Sequence, residues 1–246
     1  MKIEICLPIK NEEEIIKENI ESLIFFIECL ELNVNWVINA VINNSNDDSY
    51  KIAKEISDRH PDLIKCTLLS KPGKARAIKT AWSTSDADVL MFMDIDFAVP
   101  LDFLPKLIIP IINNEADLVI GSRFLSKSII NRSWQRLLIS KVYIYLSQII
   151  LGHEQTDVQC GFKAIKNESF QEIELNLKDN YWFLDTELIM LASYKGFRIK
   201  EIAVNWQERV SRIKKSNINV VRDTFSFLLN LIKYKLYIKS LKSKKK

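Results

Sequence analysis

Apolar and polar positions follow two rhythms along this chain. Short runs rich in β-branched residues, Ile3–Ile9, Trp36–Ile42, Ile64–Leu69, Val89–Met93 and Leu118–Ile120, predict strands. Between them apolar residues recur every three or four positions. Ile15, Ile16, Ile20, Leu23, Ile24 and Ile27 do so within Glu12–Leu32, and helices are likewise predicted over Asp48–Arg59 and Gly73–Ser83. Alternating strand and helix predicts an α/β fold whose mostly parallel central sheet is flanked by helices. From about Ser122 the rhythm changes. Arg132–Leu151 predicts an apolar helix carrying Arg132, Arg136 and Lys141. A strand near Gly161–Ile165, a helix near Leu184–Tyr194, a strand over Arg198–Trp206 and a basic, apolar helix over Asn217–Leu241 follow.

Composition narrows the class. The 246 residues, 48% hydrophobic and 27% charged, are ordinary globular values. They exclude a disordered chain, a collagen-like chain and a polytopic membrane protein. Charged residues, Lys141 in one helix and Lys233 and Lys235 in the other, interrupt the best candidates for a spanning helix. Cys6, Cys29, Cys66 and Cys160 are far apart, and His60 and His153 are the only histidines, which argues against a cysteine-rich zinc site. The first residues do not read as a signal peptide, so a reducing, cytosolic setting is expected. Charge is distributed unevenly: residues 207–246 hold 12 Lys and Arg against two acids, while the whole chain is only +4. The basic end suggests an anionic partner, a nucleic acid or a membrane surface. Nucleic acid is disfavoured, because the end of the tail lacks interleaved aromatics and no recognition motif is present.

Three segments carry candidate chemistry. Asp94 and Asp96 end an apolar strand, where parallel sheets bind ligands. Two carboxylates so close suit a hard cation such as Mg²⁺ or Mn²⁺ with substrate phosphates, although Asp96 could equally cap the next helix. Lys71-Pro72-Gly73-Lys74-Ala75-Arg76 opens a helix with cations, an arrangement suited to a phosphate or simply to a solvated basic turn. Asn43-Asn44-Ser45-Asn46-Asp47-Asp48-Ser49 follows a strand and suits either turns and caps or a nucleoside. In a parallel sheet these strand ends share one edge, which suggests a nucleotide-diphosphate site with its metal.

With these segments in place, the chain resembles the family-2 glycosyltransferases of Rossmann-like glycosyltransferase-A fold. Within them it is most similar to the polyprenyl-phosphate sugar synthases, particularly the dolichyl-phosphate glucosyltransferases. Pro8-Ile9-Lys10-Asn11-Glu12-Glu13 is similar to the family's Pro-x-x-Asn-Glu-Glu opening. Gly73-Lys74 resembles its Gly-Lys-Gly, Asp94-Ile95-Asp96 its Asp-x-Asp, and Ile120-Gly121-Ser122-Arg123 its Ile-Gly-Ser-Arg. Asp157-Val158-Gln159-Cys160-Gly161-Phe162-Lys163 is close to the subgroup's Asp-x-Gln-Cys-Gly-Phe-Lys, and Val204-Asn205-Trp206 with Glu208 continues the likeness, which covers about residues 3–225. The chain departs from the pattern at four places. Ile42 and Asn43 replace an Asp-Asp pair, and Ala75 replaces the second Gly of Gly-Lys-Gly. Lys215-Ser216-Asn217 stands for a late Gly-Ser-Lys. Ala98 occupies a position where mannosyl members often carry Gln.

The resemblance implies metal-dependent, inverting transfer of a sugar, glucose favoured, from a nucleotide-diphosphate donor, a UDP-sugar favoured, to a polyprenyl phosphate. By the same resemblance Pro8, Lys10, Glu12, Asn43, Ser45, Lys74 and Asp94 serve the nucleotide, and Asp94 and Asp96 hold Mg²⁺ or Mn²⁺. Asp157, Asp96 and Arg123 act at the reacting groups. Gln159, Arg132, Arg136, Lys214 and Lys215 serve the acceptor and its phosphate. An ionised phosphate nucleophile needs no strong base. Residues 1–215 are expected to form the catalytic domain, with a nucleotide half to about residue 122 and an acceptor half after it. Residues 216–246 are expected to form a basic amphipathic helix and lysine tail. That helix and Arg132–Leu151 would hold the protein peripherally on the anionic cytoplasmic face of a membrane, where a flippase is a possible partner. Transfer to a polysaccharide, teichoic-type or protein hydroxyl, and a non-catalytic sugar-nucleotide or lipid-binding module, are the alternatives. Cys160 reads as structural, Trp82, Trp134, Trp182 and Trp206 as packing residues, and His153 as a surface or helix-end residue.

Overall fold

The computed structural model describes residues 1–207 and 220–243. In chain order the elements are β1 (Lys2–Ile9), α1 (Ile16–Glu28), β2 (Asn35–Asn43), α2 (Ser49–Arg59), β3 (Ile64–Leu69), α3 (Lys74–Ser83), β4 (Val89–Met93), α4 (Leu104–Ile112), β5 (Leu118–Ser122), β6 (Ile130–Asn131), α5 (Trp134–Leu151), β7 (Phe162–Lys166), α6 (Asn167–Ile173), α7 (Leu184–Lys195), β8 (Ile199–Ala203), β9 (Trp206–Gln207) and α8 (Val220–Ser243).

Seven strands form one sheet in the order β3-β2-β1-β4-β7-β5-β8, parallel throughout except for β7. The central strands read as near-continuous apolar runs because helices cover both faces. Every residue of β4 is buried. Ile5 stands opposite Ile38 on one side and Met91 on the other. This register brings the carboxyl ends of β1, β2 and β4 to a common edge. One face packs on α1, α2 and α4 through Ile20, Ile56 and Leu107, among others. The opposite face packs on α3, α6 and α7, with Trp82 wedged against Phe92 and Phe170. Leu231 and Tyr234 of α8 are buried in that second core, so the C-terminal helix is part of the packed body.

Several boundaries differ from expectation for local reasons. α1 starts late because the Glu12 carbonyl accepts the N–H groups of both Ile15 and Ile16 in a preceding turn. It ends early because Leu30, Leu32 and Val34 pack on the core at alternate positions, a spacing that suits extended chain. The single strand expected over Arg198–Trp206 is two: β8 pairs with β5, then the chain leaves to pair β9 with β6. α4, with Pro110 inside it, and α6 were not anticipated. Trp134 and Trp182, expected to pack, are 71% and 67% exposed, whereas Trp82 is buried. His153 follows the helix-ending Gly152 yet is buried, its ring sharing a hydrogen bond with Ser147, and burial lowers its pKa to about 4. Among the described residues no helix is long and apolar enough to cross a membrane.

Candidate active site

The site grows from the end of β4. The chain turns sharply after Met93: the Phe97 N–H donates to the Asp94 carbonyl, and the Ala98 N–H donates to Asp96 Oδ1. Phe97 holds φ +50°, a strained conformation for a bulky side chain and one that recurs at ligand-binding loops. The buried Asn19 of α1 pins the turn, its amide donating to the Ile95 carbonyl at 2.6 Å. Asp94 and Asp96 therefore leave the sheet on a fixed loop, both half-buried.

Asp94 faces two partners. Lys74 Nζ lies 2.5 Å from its Oδ1 and 5.6 Å from the Phe92 ring centroid. Burial alone would lower the lysine pKa, but Asp94, Asp185 and Asp96 together more than offset it and hold the ammonium above its usual value. On the other side lies Gly161: a Cβ there would come within 2.5 Å of Asp94 Oδ2. The turn before β7 thus lies directly against the carboxylate. Lys163, fully buried, supports that turn by donating to the Cys160 carbonyl and to Asp185 Oδ1, each at 2.5 Å.

At the start of α3 two of the free N–H groups are already used, Ala75 donating to the Tyr181 carbonyl and Arg76 to the Asn180 carbonyl. The guanidinium of Arg76 turns back to the Pro72 carbonyl. Gly73 takes φ +145°, and a Cβ there would collide with the Asn180 carbonyl at 2.1 Å. The segment that closes this end is itself tied down. Asp179 Oδ2 accepts from Tyr181 and Phe183, and Glu187 Oε2 accepts from Lys178 and Asp179. Burial is the main reason the Glu187 pKa rises to about 7. Of the basic cluster, Lys74 remains directed at the site.

The polar loop after β2 knits the first two motifs together. Asn43 is buried, and its Oδ1 accepts the Gly73 N–H at 2.8 Å. Ser45 Oγ accepts from the Asn11 N–H, and Asn11 Oδ1 accepts from Asn46. Ser49 and Asp47 accept from the N–H groups of Glu12 and Glu13. The capping reading therefore holds for much of this loop. Pro8 and Glu12 are half-buried and Lys10 is exposed at the same edge.

Arg123, just past β5, is locked to Asp157. Its Nε and Nη2 donate to the two carboxylate oxygens at 2.6 and 3.0 Å, and its backbone N–H donates to Oδ2 as well. Gln159 N–H adds a fourth bond, to Oδ1. Asp157 is wholly buried. Burial would raise its pKa, but the guanidinium more than offsets this and holds it below the usual carboxylate value. With each oxygen accepting twice, Asp157 ties Arg123 to the turn at Gln159. Arg123 lies 5.0 Å from the Trp206 ring centroid. Trp206 closes a small cleft, with room for about one water-sized group, together with Met93, Asp94, Ala98, Val99, Gly161 and Phe162. Arg132 donates to Ser140 of α5, and Arg136 is half-buried on the same helix. Lys214 and Lys215 lie outside the described residues.

Sequence reasoning missed Lys163, Asp185, Glu187 and the 178–183 segment. Among the described residues no three His, Cys, Asp or Glu side chains gather to hold a metal ion. Asp96 and Asp94 could supply one or two carboxylates. That set suits a hard cation completed by substrate phosphates, the usual manner of Mg²⁺, and does not suit a cage made by protein alone.

Known proteins resemble this chain in sequence and in fold. The family model described as Glycosyl transferase family 2 matches residues 4–174. Glycosyltransferase AglD of Haloferax volcanii is 25% identical over 223 residues, which is 91% of this chain and 35% of that protein. Dolichyl-phosphate beta-glucosyltransferase ALG5D of Trichomonas vaginalis is 26% identical over 251 residues, covering 93% of this chain and 75% of its own. The chain thus spans about a third of one relative and three quarters of the other. Among solved structures, glucosyl-3-phosphoglycerate synthase from Mycobacterium tuberculosis in complex with UDP superposes with a TM-score of 0.67 at 17% identity, over 94% of this chain and 80% of that one. The glycosyltransferase-A fold expected above is the fold found.

Proposed function

The chain belongs to glycosyl transferase family 2, and from that membership we propose that it moves a hexose, glucose before others, from a UDP-sugar to a polyprenyl phosphate with inversion. The reading is supported by relatives named as dolichyl-phosphate beta-glucosyltransferases. The observation that carries it is the state of the carboxylates around the cleft. Asp94 is paired with Lys74 and Asp157 with Arg123, and Asp96 accepts from the backbone of Ala98. Each is already engaged, by a cation or by backbone. A hydroxyl nucleophile would need a group placed to take its proton, whereas a phosphate oxygen arrives ionised.

The chain's own residues then bind and orient. Lys74 fixes Asp94 for hydrogen bonds from donor hydroxyls. Arg123, held rigidly by Asp157, stabilises phosphate charge near the point of transfer. Pro8, Lys10, Glu12, Asn43 and Ser45 form the nucleotide edge, and Gln159, Arg132 and Arg136, with Lys214 and Lys215, form the acceptor side. Mg²⁺ or Mn²⁺ held by Asp96, with Asp94 beside it, would supply Lewis-acid stabilisation of the leaving diphosphate. Solved complexes of the glucosyl-3-phosphoglycerate synthase fold with Mn²⁺ and UDP support this choice of metal and nucleotide.

The lipid acceptor also gives a reason for an exposed apolar stripe. Trp134, Leu138, Val142, Tyr145 and Ile149 on α5, and Leu229, Ile232 and Leu236 on α8, are all exposed, beside Lys141, Lys233, Lys235 and Lys239. Peripheral binding to an anionic cytoplasmic leaflet follows, with a flippase downstream. The test is incubation with UDP- and GDP-sugars, polyprenyl phosphate and either metal, following nucleotide release and lipid-linked sugar together. Lipid-linked product from one donor is expected. Donor binding without lipid product would shift the reading to a hydroxyl acceptor or a non-catalytic module.

A further inference from the structure

We propose that the indole N–H of Trp206 donates a hydrogen bond to one ring hydroxyl of the transferred hexose, making Trp206 a specificity-determining residue. The proposal rests on the transferase reading above. Trp206 Nε1 is buried and has no hydrogen-bond partner among the described residues. A buried indole N–H normally finds a partner, because a desolvated donor left unpaired is costly. The residue is held tightly all the same. Its backbone N–H donates to the Ile129 carbonyl and that of Gln207 donates to the Ala98 carbonyl, both at 2.8 Å. β9 thereby ties the loop after Asp96 to the segment before α5, and the Arg123 guanidinium lies over the indole ring.

The cleft that Trp206 lines explains which partner fits. Its other walls are the apolar side chains of Met93, Val99 and Phe162, the small Ala98 and Gly161, and one carboxylate, Asp94. A phosphate is larger than the space and would find a single neutral donor, the indole, in its lining. A hydroxyl satisfies both, accepting from an N–H and donating to a carboxylate. The cleft takes about one water-sized group, so a single hydroxyl enters it and the hexose ring stays at its mouth. A site that donates to a particular hydroxyl rejects an analogue lacking it, because the donor is then left unpaired.

The experiment uses the full chain, UDP, UDP-glucose and the 2-, 3-, 4- and 6-deoxy forms of UDP-glucose, with affinity by calorimetry and kcat/KM for transfer. On the wild type, one deoxy donor is expected to lose about 10- to 100-fold while the others lose less. Trp206→Phe keeps the ring over Arg123 and removes the N–H. It should lower UDP-glucose by the same factor, leave that one deoxy donor unchanged and leave affinity for UDP unchanged. Equal loss on every donor, equal weakening of UDP, or no effect would overturn the proposal. The wild-type arm needs no variant to fold: if no single deoxy donor stands out, the proposal fails there. A wild type that neither binds nor uses UDP-glucose would remove the transferase reading and this inference together, a result distinct from a silent Trp206→Phe.

Discussion

Gly161→Ala isolates the close approach between the 159–161 turn and the Lys74–Asp94 pair. The new methyl carbon would lie 2.5 Å from Asp94 Oδ2 and 2.9 Å from Lys74 Nζ. Unstrained heavy-atom contacts sit near 3.5–4.0 Å, so the carboxylate must retreat by about 1 Å. Gly161 is not in the left-handed region, so its backbone accepts alanine. At an open position that exchange would stabilise by about 0.4–1 kcal/mol through the unfolded chain. Here overpacking opposes it with about 1–3 kcal/mol, and the melting temperature should fall about 2–4 °C per net kcal/mol. Turnover should suffer more, because a 1 Å misplacement of a positioning group costs about 10²-fold. Donor kcat/KM and thermal melts measure the two effects. In an Asp94→Ala background the collision with the carboxylate is gone, and Gly161→Ala should become neutral or stabilising. Wild-type turnover in the single variant, or the same destabilisation in both backgrounds, would refute the reasoning.

Other expectations follow from the same geometry. Asp157→Ala leaves the Arg123 guanidinium buried without its partner, so urea melts should show a loss of about 3–5 kcal/mol; a loss under about 1 kcal/mol would mean that the pair does not lock the loop. Glu187 has a folded-state pKa near 7 against an ordinary 4.5, so the stability it allows below the lower value is lost as pH rises through the upper one. Melts of the wild type relative to Glu187→Gln should therefore worsen between pH 4.5 and 8, by on the order of 3 kcal/mol, and parallel profiles would contradict this. Changing Lys233, Lys235 and Lys239 together to Gln should weaken sedimentation with anionic vesicles at low salt by about 100-fold, at about 1 kcal/mol for each cation. Equal sedimentation of both proteins would count against the membrane surface.

What could be read from the sequence was whatever depends on neighbours along the chain. β3 and β4 were legible to the residue, because each is a short run rich in apolar residues with polar and turn-forming residues on either side. Asp94 and Asp96 stood out because they end such a run, where parallel sheets bind ligands. What escaped depends on distant partners. The start of α3 looks like an anion site until Asn180 and Tyr181, more than 100 residues later, take two of its N–H groups. The partner of Asp157 was equally hidden: Arg123, 34 residues earlier, engages both its oxygens. The tryptophans carried no local mark to distinguish the buried Trp82 from the exposed Trp134 and Trp182. α4 was hidden by its prolines, one of which sits inside the helix.

The reversed strand β7 has a consequence for how the chain is made. It lies between β4 and β5, yet it follows them in sequence by some forty residues or more. During synthesis β1 to β4 can pair as they emerge, but β5 and β8 have no route onto that sheet until Phe162–Lys166 is available to bridge them. Loop closure must come before those contacts reward it. Through this one late event Gly161, at the entry to β7, reaches Asp94, and Arg123, just past β5, meets Asp157. In pulse-labelled hydrogen exchange during refolding, the amides of β5 and β7 should gain protection in a single phase, later than those pairing β1 with β2. The cleft beside Asp94 would then be the last part of the protein to exist, and no partly made chain could carry it.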